Sequence, residues 1–547
     1  MPGRKGARRS LDWMPEISPD VAGRPADSKP RVAVVGGGVT GCGVARDLAM
    51  RGFDVTLIEF GDLGSGTSSR FHGMLQSGAR YAVSDTTYAA ECMRERRIIA
   101  EIAPQAVEQT GGLFVSLPED PPEFAEYFAA GCKAAEIPVA ELEPQAAMAD
   151  EPAISREIVR AFSVPDATID PWRLVNLLAD DVKRRGGTVL TRHQVTGFDI
   201  EGGRVSAVRV ARSNGGERRI EVDAVVNAAG PWSARIANMV GGGVELQLTK
   251  GSILVLAHRL VRCAVNRCRP ATSHDIVVPS GTVSLFGATS EVVDDPDTTM
   301  VRPAEIQELL EGAEPLIPAV RDLRMLRAWA GVRPLVKPQI WSDDQPLPRR
   351  HAVIDHAELG VEGFLTVCGG SLTTHRAMAE DVTNHICRRF RINQPCPTSG
   401  TPLAANGAAN GPIAGWRPVA GYEQIEQAGR TREPLCECEA VDRQAIQELL
   451  RDREISSLHD VRRRLRVGFG PCQGSFCGSR LAELLAEANP DFATADELGR
   501  FWTERLKGAA HTAWGDQARQ LLLSDAVYRG ALGLRLSTEI LPSTERR

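Results

Sequence analysis

The sequence lacks several features that would assign the chain to a particular class of protein. Its 64 basic and 70 acidic side chains leave a formal net charge of −6, so the chain as a whole has no basic excess with which to bind nucleic acid or an anionic membrane. No uninterrupted apolar run approaches the roughly 18 residues that a membrane-spanning helix needs. No repeat indicates a solenoid. We therefore expect a globular protein that neither binds nucleic acid nor spans a membrane.

The N-terminus lacks the apolar core of an export signal. The pair Arg8-Arg9 is followed by a stretch from Leu11 to Pro30 that prolines and acidic residues interrupt. We interpret residues 1–30 as a disordered, proline-rich extension. The expected location is the cytoplasm, with the inner face of the cell membrane as a site of peripheral attachment.

Thiols stay reduced in the cytoplasm, so the 12 cysteines need an explanation other than disulfides. Eight are scattered, and most of these are interpreted as small buried apolar residues: Cys42, Cys92, Cys132, Cys263, Cys268, Cys368, Cys387 and Cys396. The remaining four are grouped near the C-terminus and indicate a separate unit.

The chain of 547 residues is too long for one ordinary core, and two or three domains are expected. Residues 31–395 begin with a strand, a helix and a second strand, which is typical of a doubly wound sheet. Residues 396–430 are rich in Pro, Gly and Ala and are predicted to form a connector. A compact unit at residues 431–485 and a helical segment at 486–547 complete the predicted organisation.

A GxGxxG pattern lies between the first strand and the helix that begins near Thr40. Gly36 is expected to allow the tight turn, Gly38 to let backbone approach a pyrophosphate, and Gly41 to permit close helix–strand packing. Glu59 closes the second strand, 23 positions after Gly36, where a carboxylate accepts hydrogen bonds from a ribose. The pattern predicts a dinucleotide site, although a structural turn is the alternative and FAD is not separated from NAD.

Four cysteines form two close pairs in the C-terminal unit. Cys436 and Cys438 form a CxC pair, whose side chains point the same way from an extended segment. Cys472 and Cys477 enclose four residues in a glycine-rich stretch, whose amides can turn toward sulfur. Four thiolates suit tetrahedral zinc as well as an iron–sulfur cluster, and four unligated cysteines are the third interpretation.

Two helices are predicted between the cysteine pairs. Asp442 is expected to cap the first helix, and Ser457 with Asp460 is expected to form a capping box at the second.

Further motifs carry a resemblance to a known family. They are Ser69–Gly73, Ser77–Ala82, Leu113–Phe114, Leu117–Asp120, Asp170–Leu174, Asn227–Trp232, Lys250–Ser252, Asn266–Arg269, Gly331–Leu335 and Cys368–Gly370. In this order they resemble the FAD-dependent glycerol-3-phosphate dehydrogenase family, and most closely the large catalytic polypeptide of its anaerobic members. The resemblance extends from Arg31 to Leu534.

The resemblance implies an α/β fold, in which a doubly wound Rossmann-type FAD-binding domain carries an antiparallel-sheet substrate domain and is followed by a small cysteine-ligated iron–sulfur domain. The residues that it places at FAD are Gly36, Gly38, Thr40, Gly41, Glu59, Ser68, Ser69, Val195, Gly230, Gly370 and Leu372. The C-terminal unit resembles the bacterioferritin-associated ferredoxin family, which implies a 2Fe–2S cluster, with zinc as the alternative. The cluster ligands implied are Cys436, Cys438, Cys472 and Cys477.

The implied reaction is the oxidation of sn-glycerol 3-phosphate at C2 to dihydroxyacetone phosphate. The hydride passes to flavin N5, and electrons continue through the cluster to partner subunits or a membrane quinone. Arg80 and Arg333 match family arginines that bind the phosphate, and Arg350 is expected to be a third, with its neighbour Arg349 as the alternative. Thr373 is also expected at the substrate.

His72 in the flavin-facing loop is expected either to remove the hydroxyl proton or to hydrogen-bond the isoalloxazine. The sequence departs from the family pattern at Ser371, where a lysine is usual, and at His375, where a tyrosine is usual. The lost cation leaves another polyol phosphate, a 2-hydroxy acid or an amine as alternative substrates. In those alternatives the C-terminal unit is a structural zinc or docking module.

Overall fold

A computed structural model describes residues 28–212, 215–272, 274–337, 349–404, 422, 427, 433–451, 455, 457–489 and 492–535. Most of the predicted N-terminal extension and of the predicted connector lies outside these residues. None of the helices in the described part has the length and apolar character that crossing a bilayer requires.

The strands are, in chain order, β1 (Arg31–Val35), β2 (Asp54–Ile58), β3 (Met74–Leu75), β4 (Val107–Glu108), β5 (Gly112–Ser116), β6 (Ala140–Leu142), β7 (Arg160–Val164), β8 (Ala167–Ile169), β9 (Thr188–Leu190), β10 (His193–Glu201), β11 (Arg204–Arg212), β12 (Glu217–Glu221), β13 (Ala224–Asn227), β14 (Leu246–Leu256), β15 (Ala264–Arg267), β16 (Ile276–Ser280), β17 (Val283–Phe286), β18 (Glu291–Val293), β19 (Met325–Val336), β20 (His351–Asp355), β21 (Phe364–Gly369), β22 (Pro434–Cys436) and β23 (Val441–Asp442).

The α-helices are α1 (Val39–Met50), α2 (Thr86–Ile102), α3 (Pro122–Ala134), α4 (Pro144–Asp150), α5 (Pro171–Arg184), α6 (Ser233–Asn238), α7 (Pro303–Ala313), α8 (His375–Arg389), α9 (Arg443–Leu449), α10 (Leu458–Leu465), α11 (Cys477–Ala488), α12 (Thr494–Leu506) and α13 (Gly515–Asp525). Short 3-10 helices occupy Thr67–Ser69, Ala79–Tyr81, Pro104–Ala106, Gly230–Trp232, Val320–Asp322 and His356–Leu359, and a π-helix occupies Ala526–Ala531.

The first sheet has the strand order β20-β21-β13-β1-β2-β9, and all its pairs are parallel except β20–β21. Its inner strands are continuous apolar runs because both faces are covered. Helices α1, α5 and α8 pack on one face, and the three-stranded sheet β10–β12 packs on the other. Because β1, β13 and β21 are parallel, their carboxyl ends meet at one edge, where ligands bind in such sheets.

The second sheet has the order β18-β14-β17-β16-β15-β5-β7-β6, with β19 also paired to β14. Its pairs are antiparallel apart from β15–β5, which agrees with the predicted antiparallel substrate sheet. The strands of this sheet alternate along the chain with those of the first, so the two sheets belong to one interleaved body. Helix α7 packs with this sheet around a core that contains Leu254, Phe286 and Leu309.

The C-terminal unit has its own core of buried apolar residues, which includes Leu458, Leu481 and Phe501. The predicted helix caps are confirmed. Asp442 accepts a hydrogen bond from the amide of Ala445 at 2.7 Å, and Ser457 and Asp460 form a reciprocal capping box at α10.

The same unit docks against the first body through charged and aromatic contacts. Arg464 pairs with Asp180 at 3.5 Å, and Trp172 lies edge-on to Phe469 with ring centroids 4.8 Å apart. At the start of the predicted connector, Leu403 is buried and its amide donates to Ile102 at 2.7 Å. This part of the connector therefore packs on the first body. The exact domain boundaries stay predictions.

Candidate functional site

The turn after β1 has the shape that its glycines were predicted to give. Gly36 has a φ of +110°, and a Cβ atom there would lie 2.6 Å from the carbonyl oxygen of Ala228. A Cβ atom at Gly41 would lie 1.9 Å from the carbonyl oxygen of Gly36, far inside van der Waals contact. Gly38 precedes the first turn of α1, where the amide of Val39 donates to Ser68 Oγ at 3.0 Å. Only glycine at positions 36 and 41 allows the chain to turn this sharply into the helix.

Glu59 follows β2 and is fixed by backbone amides. Its Oε2 accepts from Gly37 at 2.6 Å, and its Oε1 accepts from Gly61 at 2.7 Å. Burial raises the pKa of this carboxyl despite the two amide donors. Glu59 thus joins the glycine turn to the end of β2, and its contact with a ribose stays a prediction.

A cavity of about 1270 Å³ opens at the carboxyl ends of β1, β13 and β21, facing β14 and β19 of the second sheet. The predicted site residues on its wall are Thr40, Ser68, His72, Arg80, Gly230, Arg333, Gly370, Leu372 and Thr373. Residues from four distant parts of the sequence, positions 40–80, 230, 333 and 370–373, therefore meet in one space. Its volume exceeds the roughly 300–1,000 Å³ of a pocket for one small ligand, which leaves room for a cofactor and a substrate together.

Seven of the residues predicted at FAD or the substrate do not line this wall, and four of them, Gly36, Gly38, Gly41 and Glu59, belong to the turn described above. Ser69 is buried behind the loop, and Val195 lies in the core between the first sheet and β10–β12. Arg350 does not line the cavity; it pairs at 3.0 Å with Asp85, which does, and 55% of its side chain is exposed. Its neighbour Arg349 lines the cavity instead. The structure therefore favours Arg349 over Arg350 as the third arginine.

Arg80, Arg333 and Arg349 bring three positive charges to the cavity. Arg80 donates to Asn266 Oδ1 at 3.3 Å and to the carbonyl of Thr272 at 2.6 Å, and Arg333 donates to the carbonyl of Thr289 at 3.2 Å. Burial, together with repulsion from Arg349 and Arg80, lowers the pKa of Arg333 to about 10. Within the described part of the chain, no Asp or Glu forms an ion pair with Arg80 or Arg333. An anion in the cavity would relieve this repulsion.

His72 is held in one tautomer by the backbone. Its Nδ1 accepts a hydrogen bond from the amide of Met74 at 3.2 Å, so the neutral ring carries its proton on Nε2. Burial and the three arginines lower the pKa of His72 to about 3. The ring is therefore neutral at physiological pH and offers a donor through Nε2. This geometry favours the hydrogen-bonding role over the role of a resting-state base.

Several polar residues of the wall were not predicted from the sequence. Gln76 lines the cavity, and its Oε1 atom is buried with no partner in the described structure. Tyr81 and Tyr88 also line the cavity. Tyr81 lies inside the family motif Ser77–Ala82, which gave it a local signal, whereas Gln76 and Tyr88 lie outside the motifs and are brought to the site only by the tertiary fold.

Ser371 takes the position where the family lysine was expected. Its Oγ lies 3.4 Å from Thr374 Oγ1, and the residue lines the cavity. Thr373 beside it is buried and accepts a hydrogen bond from the amide of Gln76 at 3.2 Å. The loop after β21 therefore contributes hydroxyl groups and no positive charge.

The four C-terminal cysteines form one connected group. The pKa of Cys436 is lowered because its sulfur accepts a hydrogen bond from the Cys477 thiol, whose own pKa is raised. Cys472 and Cys438 form a similar pair, in which the pKa of Cys472 is lowered and that of Cys438 is raised. Cys472 also contacts Cys477, so the two pairs are joined.

Backbone donors and glycines surround this group, as the sequence predicted. The amide of Gly474 donates to Cys472 Sγ at 3.4 Å, and a Cβ atom at Gly470 would lie 2.2 Å from the Cβ of Cys438. Four thiols with amide donors fit the chemistry of an iron–sulfur cluster. In the described part of the chain, no group of three or more His, Cys, Asp or Glu side chains is arranged to hold a metal ion as it stands. The ligation by these four cysteines stays a prediction.

Comparison with known proteins gives two family matches. Residues 31–384 match the model of the FAD dependent oxidoreductases, and residues 434–487 match the model of the BFD-like [2Fe-2S] binding domain. The second match spans Cys436, Cys438, Cys472 and Cys477.

The chain is similar over most of its length to curated proteins. It is 40% identical over 528 residues to the A-type polypeptide of the anaerobic glycerol-3-phosphate dehydrogenase of Escherichia coli K12, covering 92% of this chain and 97% of that protein. It is 38% identical over 533 residues to the A1-type polypeptide of the same enzyme from Haloferax volcanii, covering 92% and 90%. The glycerol-3-phosphate dehydrogenase of Bacillus halodurans, solved in complex with FAD, shares the fold with a TM-score of 0.57 at 21% identity, covering 92% and 91%.

Proposed function

The chain belongs to the FAD-dependent glycerol-3-phosphate dehydrogenase family, and we propose that it oxidises sn-glycerol 3-phosphate to dihydroxyacetone phosphate. It is a flavoprotein oxidoreductase with a C-terminal 2Fe–2S unit. The relatives that resemble it over nearly their full length carry the name of this dehydrogenase. The proposal assigns to this chain the substrate that appears in the names of these relatives.

The observation that carries the choice of substrate is the group of three arginines. A phosphate dianion is the ligand that planar guanidinium groups bind best, through paired charge-assisted hydrogen bonds. Arg80, Arg333 and Arg349 line one cavity, and burial strengthens their repulsion when no anion is present. Arg349 supplies a cation on the wall where Ser371 supplies none.

Different residues around the cavity are suited to binding the substrate and the cofactor. When bound, FAD would supply the acceptor for the hydride that the oxidation of C2 releases. His72 donates a hydrogen bond from Nε2 to an oxygen atom in the cavity, because Nδ1 is already occupied by the amide of Met74. Gln76 and Thr373 offer neutral polar groups for the hydroxyls of a polyol. The α1 N-terminus, beside Gly38, is suited to the pyrophosphate of the cofactor.

Electrons then leave through the C-terminal unit toward partner subunits and a membrane quinone. The relatives are named as one of the subunits of their enzyme, which supports a multi-subunit assembly. The loop from Cys472 to Cys477 reaches the surface, where Phe476 is 65% exposed. An acceptor can therefore approach the cluster closely. Such an assembly would hold the chain at the inner face of the cell membrane.

Anaerobic stopped-flow reduction of the flavin tests the proposal. We expect sn-glycerol 3-phosphate to bleach the flavin with saturation, while glycerol and a 2-hydroxy acid leave it oxidised at the same concentrations. Reduction by a different polyol phosphate but not by glycerol 3-phosphate would move the assignment to that substrate, in line with the serine at position 371. Reduction by the unphosphorylated controls alone would contradict a phosphate-binding role for the arginines.

A further inference from the structure

Helix α12 places the buried cation Arg505 beside the loop from Cys472 to Cys477, called the cysteine loop below. Arg505 lies in the last turn of this helix and is 5% exposed. Its Nη2 donates to Gln473 Oε1, and Gln473 directly follows Cys472. The side chain of Gln473 also donates to the carbonyl of Gly470 at 2.9 Å. Arg505 therefore contacts the loop at a residue whose side chain is already tied to the loop backbone.

This cation has little compensation from protein carboxylates. Among the described residues, Arg505 forms no ion pair, and its Nε is buried without a partner. It shares its surroundings with Arg462 and Arg327, which are also buried, and one carboxylate, Glu504, faces all three. Burial, with repulsion from Arg327 and Arg462, lowers the pKa of Arg505 well below its ordinary value.

Other cations beside the cysteines are compensated or solvated. Arg466 pairs with Glu439 at 2.9 Å and lies 3.7 Å from Asp170. Arg480 pairs with Glu437 at 2.8 Å, and 47% of its side chain is exposed. Solvent screens an exposed charge strongly, whereas a buried charge acts on its neighbours through a lower effective dielectric. Of these three cations, Arg505 is thus the one whose charge is neither paired with a carboxylate nor screened by solvent, and it contacts the loop through Gln473.

We propose that Arg505 is the buried counter-charge of the cluster and raises its reduction potential. A cluster on four thiolates becomes more negative by one charge on reduction, so a nearby buried cation stabilises the reduced form. The same cation would favour the movement of electrons out of the flavin. The inference rests on the 2Fe–2S centre of the proposed function, but it does not depend on which substrate reduces the flavin.

An EPR-monitored dithionite titration of the full-length holoprotein tests the proposal without any substrate. Arg505→Gln removes the charge and keeps a polar side chain. We expect it to shift the one-electron equilibrium of the cluster at least ten-fold toward the oxidised form, which is about 59 mV. Arg505→Lys keeps the charge and should retain most of the wild-type potential. Arg480→Gln is the matched control and should shift the equilibrium much less, because solvent screens that charge.

Glu504→Gln supplies a test of opposite sign. It removes the carboxylate that faces the three arginines from a position that is partly exposed, so the potential should rise. The potential of this variant still tests the proposed effect of buried charge on the cluster if Arg505→Gln fails to retain a cluster. A cluster potential that Arg505→Gln leaves within three-fold of the wild-type equilibrium would overturn the proposal. A potential that stays constant or falls in Glu504→Gln would overturn it as well. Absence of any cluster signal in the wild-type protein would instead refute the 2Fe–2S assignment.

Discussion

The adjacent arginines 349 and 350 offer a paired test of the substrate site. Arg349 lines the cavity, whereas Arg350 is 55% exposed and pairs with Asp85 at 3.0 Å. Replacing each by glutamine removes one positive charge at almost the same place in the sequence. The two variants therefore share their change in net charge and differ in the direction of the lost side chain.

The structure gives different magnitudes for the two changes. Arg349→Gln removes a charge-assisted contact from a buried phosphate, and such a contact contributes about 1.5–3 kcal/mol, or about a 10- to 150-fold loss of affinity. Arg350→Gln breaks an exposed ion pair, which contributes about 0–1 kcal/mol, so the affinity should fall by less than about five-fold.

The assay is anaerobic reduction of the flavin over a range of glycerol 3-phosphate concentrations. The half-saturating concentration should rise strongly in Arg349→Gln, while the limiting rate changes less, because Arg349 is proposed to bind the phosphate and not the C2 atom that loses the hydride. Unchanged visible spectra of both variants would show that FAD is retained. A larger loss of affinity in Arg350→Gln than in Arg349→Gln would refute the geometry and restore Arg350 to the site.

Three further predictions follow from the same contacts. Gly41→Val should yield protein without yellow cofactor, because its Cβ would lie 1.9 Å from the carbonyl oxygen of Gly36. Gly400→Val is the control and should keep FAD, because a Cβ atom there meets nothing within 4 Å. A stoichiometric FAD content in Gly41→Val would contradict the assignment of this turn to FAD binding. Cys472→Ser should abolish the cluster EPR signal yet leave flavin reduction by substrate intact, whereas Cys263→Ser should keep both centres; an undiminished signal in Cys472→Ser would remove this residue from the ligand set. The pKa of His72 is lowered to about 3, so its ring stays neutral in the folded protein from about pH 5 to 8. The rate of flavin reduction should therefore show no inflection near pH 6.5 that depends on His72. An inflection that is present in the wild type and absent in His72→Gln would restore His72 as a titrating base.

The parts of the fold that the sequence predicted correctly are set by local constraints. The GxGxxG turn, the first strand that precedes it and the caps at Asp442 and Ser457 each depend on a few neighbouring residues. A steric or hydrogen-bonding rule therefore determines them before the tertiary structure forms. The FAD-binding class and the 2Fe–2S class of the C-terminal unit, both implied by the resemblance, are confirmed by the family matches.

The features that could not be predicted depend on register and on long-range packing. Neighbouring residues of an extended segment point to opposite sides, so the choice between Arg349 and Arg350 depends on how β20 pairs with β21. The tautomer of His72 depends on the amide of Met74 two residues later, which a strand pairing with β8 holds in place. Arg505 reaches the cysteine loop from a separate helix, and no spacing in the sequence links it to Cys472.

The central claim is that one chain passes electrons from glycerol 3-phosphate to FAD and then to a 2Fe–2S cluster. Visible and EPR spectra of anaerobically purified protein, recorded before and after addition of glycerol 3-phosphate, test it most directly. The account predicts an oxidised flavin spectrum with no cluster EPR signal at first, then flavin bleaching together with the signal of a reduced 2Fe–2S cluster. Zinc at one per chain with no iron or sulfide, or a flavin that glycerol 3-phosphate leaves oxidised, would contradict it.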